Sequence, residues 1–261
     1  MYGHHHASTA FMTKQTQRLH LDEDASRITE IQQTLRAARA TLVRPLAVIG
    51  GWRSPPMMSN VLARRLSELT TGNRGDIFAM SYALSGSIEG AASRLRAKLI
   101  PWLASRCTNE VDIVAISMGG LVARHLAMSG TWIARSDRFK IRRLFTIATP
   151  HQGASLARWF KLDLAAMSMT PGSARLRAMD ACLANADDHA DELTCYVQRQ
   201  DWYIGTWNAA PEGRELRWVH PPSFVGTCMS HFTAHQHKSI ITDIALRLRG
   251  ETPLAAEPAD S

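Results

Sequence analysis

The sequence has no apolar run approaching the roughly 20 residues that span a bilayer, and no C-x-x-C pair, internal repeat or low-complexity linker. These gaps exclude a membrane-spanning helix, a thioredoxin-type redox motif and a repeat array. The four cysteines, Cys107, Cys182, Cys195 and Cys228, lie far apart. Buried free thiols are the simplest expectation, with a Cys182–Cys195 disulfide across the middle segment left open. A dense basic stripe interleaved with aromatics is also missing, although Lys and Arg exceed Asp and Glu by 30 to 23 and give a net charge of +7. The arginines are scattered over helical faces (Arg64-Arg65, Arg94, Arg96, Arg247, Arg249). No nucleic-acid partner is therefore expected. The positive surplus suits mild attraction to anionic lipid or membrane surfaces. From Met1-Tyr2-Gly3-His4-His5-His6 the chain runs through polar sequence to Asp24 without the apolar stretch of a secretory leader. A cytoplasmic location is favoured, and the compartment stays open.

What is present is enough for one sizeable core: 261 residues, 45% of them hydrophobic,. Residues 1–24 and 251–261 read as flexible tails around one domain over 25–250. Ile28, Ile31, Leu35 and Ala38 are spaced for an amphipathic helix over 25–42. Leu46 to Ile49 reads as a buried strand that breaks at Gly50-Gly51. A helix over 57–69, a strand over 76–82 and a long helix over 88–105 follow. Val111 to Ile116 is a third strand, running directly into Ser117-Met118-Gly119-Gly120 and a helical run over 121–128. Residues 141–148 read as a fourth strand and 193–198 as another. A weaker strand is expected around 224–227, then a last helix over 238–248. Alternating strands and helices predict a mostly parallel sheet covered on both faces. The alternation lapses over about 154–192, which reads as a small helical cap.

The strongest chemical signal is Ser117. A nucleophilic serine must be thrust out of a tight strand-to-helix turn, so the residues two before and two after must be small. Here they are Ala115 and Gly119. The following helix start aims free N–H groups at developing negative charge, and Met118 supplies one of them. S-M-G-G-L-V-A-R (Ser117 to Arg124) resembles the nucleophile elbow of α/β-hydrolase lipases and esterases, with Ala115 where glycine is usual. T-I-A-T-P-H-Q-G-A (Thr146 to Ala154) is similar to the landmark after the next strand in bacterial lipases and in GPI-inositol-deacylase-like hydrolases. M-T-P-G-S-A-R-L (Met169 to Leu176) resembles a third landmark, a helix start within the cap. The likeness spans about 45–248 and implies the α/β-hydrolase fold.

A serine needs a base, and the base needs an acid to orient it; in this fold the chain order is Ser, acid, His. Asp201 follows a strand, and D-W-Y-I-G resembles the acid-bearing segment of related lipases. Asp187, Asp188 and Asp191 precede that strand, at the wrong end. The base comes from His231, His235 or His237, and the spacing His237-Lys238-Ser239-Ile240-Ile241 before the last helix matches the family best. The expected triad is thus Ser117, Asp201 and His237. The three histidines could also flank a metal, but no carboxylate or Cys completes a set. Related lipases take a second oxyanion donor from the residue after a His-Gly pair; here the pair is Gly50-Gly51 and the donor Trp52. The resemblance makes His151 structural, and His125 reads as a packing residue. Met57, Met58, Met167 and Met169 suit either an acyl pocket or the core.

These residues imply acyl transfer from an ester or lipid substrate without metal or organic cofactor. An acyltransferase, thioesterase or amide hydrolase would use the same triad. A non-catalytic hydrolase-fold binding protein is the rival of another class.

Overall fold

The computed structural model describes residues 16–51, 54–81, 86–128, 139–155, 164–183, 190–222 and 229–258. In chain order the elements are β1 (Arg18–Leu21), α1 (Ala25–Ala37), β2 (Leu46–Ile49), α2 (Pro56–Leu69), β3 (Ile77–Met80), α3 (Ile88–Ala104), β4 (Glu110–Ile116) and α4 (Met118–Met128). There follow β5 (Lys140–Ile147), α5 (Leu164–Ser168), α6 (Ala174–Cys182), β6 (Glu192–Gln198), β7 (Leu216–Val219), α7 (Ser230–Thr233), α8 (Lys238–Arg249) and β8 (Ala256–Pro258). Among the described residues eight strands join one sheet in the order β3-β2-β4-β5-β6-β7-β1-β8. Every ladder is parallel except the last, β1 with β8.

The central strands read as unbroken apolar runs because both faces are covered. Leu46 to Ile49 are all buried, as is β4 from Val111 to Ile116. Right-handed crossovers decide which face each helix covers. The step from β2 to β3 goes one way along the sheet and the step from β3 to β4 goes back past β2, so α2 and α3 lie on opposite faces. From β4 to β5 the chain continues in the same direction, which places α4 beside α3. The contacts agree: α1, α2 and α8 touch one another, and α4 touches α3 and α6. A crevice therefore opens at the carboxyl ends of β2 and β4, where the chain reverses direction. Gly50-Gly51 and Ser117 stand at those two ends.

Three sequence expectations change. Residues 18–21, assigned to a flexible tail, form β1, and residues 256–258 form β8. Leu19 and Leu21 are buried by pairing β1 between β7 and β8, an alternation too short to stand out in the sequence. Residues 216–219 form β7, which Arg217 disguises; the strand expected around 224–227 lies outside the described residues. Cys195 is a free buried thiol, so no Cys182–Cys195 disulfide forms; Cys107 is free and exposed. Burial in apolar surroundings pushes the Cys195 thiol up to about 12,. Among the described residues no helix is long and apolar enough to cross a membrane.

Candidate active site

Ser117 occupies the left-handed region with φ 53°, an uncommon conformation for a residue with a side chain. Its N–H bonds the Ile147 carbonyl at 2.8 Å, and its carbonyl accepts from Thr149 Oγ1 at 2.8 Å, which pins the turn to β5 and the loop beyond it. The small neighbours are required by close approach. A Cβ on Gly119 would stand 2.5 Å from the Gly50 carbonyl oxygen, and one on Gly51 would stand 3.0 Å from Ser117 Cβ. Met118 opens α4, so its N–H has no acceptor within the helix,. Trp52 lies outside the described residues. Gly51, the residue before it, lies against the serine.

His231 Nε2 is 3.0 Å from Ser117 Oγ, and His231 Nδ1 is 2.8 Å from Asp201 Oδ2. The chain brings Ser117, His231 and Asp201 into one line. Asp201 is 1% exposed; it follows β6 through a turn with Gln200 at φ 66°. Its second oxygen, Oδ1, accepts from the N–H groups of Tyr203 at 3.1 Å and Ile204 at 3.2 Å. One carboxylate oxygen is thus held by backbone, leaving the other for the histidine. His231 sits on α7, which Thr233 ties to the end of β6 through a 2.9 Å bond to Gln198. Tyr203 stacks on the His231 ring at 5.4 Å.

The structure does not bring His237 to Ser117. His237 is the N-cap residue of α8, and its ring lines a cavity with Glu23 and His220. The reason is the extra turn of chain: α7 and a following 3-10 turn over Ala234–Gln236 separate His231 from α8, so the histidine that reaches the serine lies six residues earlier. The only sequence signal for it was membership of the three-histidine group. His235 is buried within this bridge, and desolvation lowers its pKa to about 4,. Burial also lowers His237 and His125.

The three sequence landmarks meet physically. His151 is fully buried, and its Nδ1 lies 3.2 Å from Arg124 Nη1 on α4 while its Nε2 lies 3.0 Å from Thr146 Oγ1 on β5. A guanidinium can only donate. Nδ1 is therefore the acceptor and the ring proton sits on Nε2, donating to Thr146. Burial first, and the Arg124 charge second, hold this ring well below its ordinary pKa, so it stays neutral. Arg124 also donates to Asp180 on α6 at 2.9 Å. A Cβ at Gly153 would meet Pro171 at 2.5 Å, so the second landmark rests on the third. Ser173 then caps α6 through the Leu176 N–H. Of the methionines, Met169 belongs to the core, whereas Met57 and Met167 are exposed.

Solved structures share this architecture. A lipase of Bacillus licheniformis, BlEst2 in its mature form, superposes with a TM-score of 0.54 at 13% identity, covering 81% of this chain and 94% of that one. A gene product of Listeria innocua superposes with a TM-score of 0.56 at 12% identity, covering 80% and 95%. The fold is that of the α/β-hydrolases. A family model described as a domain of unknown function, DUF7379, matches residues 67–194, just under half of the chain. No curated protein matches the sequence.

Proposed function

We propose that this α/β-hydrolase is a serine hydrolase that cleaves carboxylic esters, with Ser117 as nucleophile, His231 as base and Asp201 as the acid that orients it. The observation that carries this reading is the pair of contacts of 3.0 Å and 2.8 Å that joins the three side chains at the elbow. Asp201 fixes the tautomer with the proton on Nδ1, leaving the Nε2 lone pair for the serine hydroxyl. His231 takes that proton as Oγ bonds to the ester carbonyl carbon. The N–H groups of Met118 and Trp52 receive the negative charge that forms on the carbonyl oxygen. Imidazolium then protonates the departing alkoxide, leaving an acyl-serine. Water attacks this ester, again giving its proton to His231, and the acid leaves as Ser117 is restored.

An apolar acyl group suits the surroundings. Trp202, Tyr203, Met229 and Phe232 are all exposed and flank Asp201 and His231 in sequence, and the Bacillus licheniformis neighbour is named a lipase. A fluorophosphonate probe should label the protein covalently, and a panel of 4-nitrophenyl esters of rising chain length should be hydrolysed. Both activities should vanish in Ser117→Ala with folding intact. Undiminished ester cleavage in that variant would overturn the assignment.

A further inference from the structure

His20, Glu23 and His220 meet at the far end of the sheet, and no step of the ester chemistry uses them. His20 lies on β1, Glu23 follows that strand, and His220 follows β7. The parallel register sets His20 beside Trp218, so His20, Trp218 and His220 share one face. The His20 ring lies against Trp218 at 4.4 Å and meets the His220 ring edge-on at 5.0 Å. His20 Nε2 is 3.2 Å from Glu23 Oε1 and His220 Nδ1 is 3.5 Å from the same atom. Oε1 also accepts the His220 backbone N–H. Oε1 is thus hydrogen-bonded to the His20 ring and to the His220 backbone, and the His220 ring nitrogen stands beside it without a hydrogen bond of its own to that oxygen.

We propose that these three side chains form a binding site for a divalent transition ion, with Zn2+ the ion that fits best. Two imidazoles and one carboxylate are a borderline ligand set that zinc favours. The three ligand atoms already lie within 4.8 Å of one another. Bonds of about 2.0–2.2 Å to a tetrahedral zinc imply ligand separations of about 3.3–3.6 Å, which the two contacts to Glu23 nearly match. With a cation between them both rings present lone pairs, and Oε1 can ligate the ion while keeping the His220 backbone bond. Trp218 backs the His20 ring and limits its rotation, while His220 keeps half its side chain in solvent and leaves a way in. His237 lines the same cavity as Glu23 and His220, and its buried Nδ1 has no hydrogen-bond partner among the described residues; it stands outside the three-ligand group, which leaves the fourth position to water. With neighbouring strands about 4.8 Å apart, the site stands three to four strands from Ser117, roughly 15–20 Å along the same rim. It joins the N-terminal strand to the end of β7.

The test must remove a competitor, because His4, His5 and His6 would bind such ions themselves. Metal-free full-length protein carrying His4→Ala, His5→Ala and His6→Ala is titrated with Co2+, read by its visible absorption, and then with Zn2+ in competition. One equivalent should bind. Adding His220→Ala or Glu23→Gln should weaken binding at least about tenfold, since losing even an outer partner of a metal ligand costs about 10–100-fold. His220 is half exposed, and its replacement leaves the backbone bond to Glu23 in place; circular dichroism checks that the variant is folded. Absence of stoichiometric binding in the tail-substituted protein would overturn the site. Unchanged affinity in folded His220→Ala would do the same, leaving Glu23 only as a hydrogen-bond acceptor for the edge strand. Neither result depends on esterase activity.

Discussion

The centre of the sheet and its far edge are built on opposite principles. At the centre, β4, the elbow and α4 follow one another in 19 consecutive residues, Glu110 to Met128. Local sterics dictate that arrangement: Ser117 must adopt φ 53° and Gly119 must tolerate the Gly50 carbonyl. At the edge, β7, β1 and β8 come from residues about 40 to 240 positions apart, and only their meeting gives each its structure. Motif and assembly are different kinds of information. In the proposed triad the histidine belongs to the second kind although its serine belongs to the first, which makes the contrast testable within one site.

The sharpest break in the comparison is His231→Ala against His237→Ala. If assembly chose the base, the first should lower kcat by about 10⁴–10⁶-fold, and the second should leave it within a few-fold. Steady-state ester hydrolysis decides, and the reverse order would return the role to the residue favoured by sequence spacing. Next, Leu21→Ala at the edge removes a fully buried side chain and should cost about 2–5 kcal/mol of stability with little change in kcat, as urea unfolding beside kinetics would show. Gly119→Ala should do the converse. Its methyl group displaces the elbow against Gly50, and a shift approaching 1 Å lowers activity about 10²-fold, measurable as the rate of probe labelling.

The smallest effect is a pH dependence in the bridge between the two regions. His235 is neutral in the folded protein with a pKa of about 4, whereas unfolded it titrates near the ordinary 6.5. Between those values the unfolded state binds more protons, so stability is complete above about pH 6.5 and falls as the pH falls. About 2 kcal/mol should be lost from this group between pH 7 and pH 5. His235→Leu should flatten that slope in denaturant titrations; an unchanged slope would show that other groups set it.

The same division explains what was legible. The parallel core was readable because strands covered on both faces must be apolar throughout, as Leu46 to Ile49 are. The turn at Ser117 was readable because it needs small residues at fixed offsets, and the place of Asp201 because it follows a strand end. The histidine that lies against Ser117 was harder to read, because spacing was counted back from α8, and the short helix and 3-10 turn before that helix leave no apolar period to read. Arg18–Leu21 and Ala256–Pro258 were hidden because a strand of three or four residues has almost no pattern of its own; its partners make it a strand.

The pairing of Leu19 with Pro258 has a practical corollary. Because β1 runs parallel to the central strands and β8 returns against it, the start of β1 and the end of β8 lie side by side, at the rim opposite Ser117. From Arg18 to Pro258 the chain is close to a closed ring. A short peptide linking these two points would complete the circle, and the chain could then be reopened at an exposed loop elsewhere. A reporter domain joined directly before Arg18 or after Pro258 would start from the rim opposite Ser117.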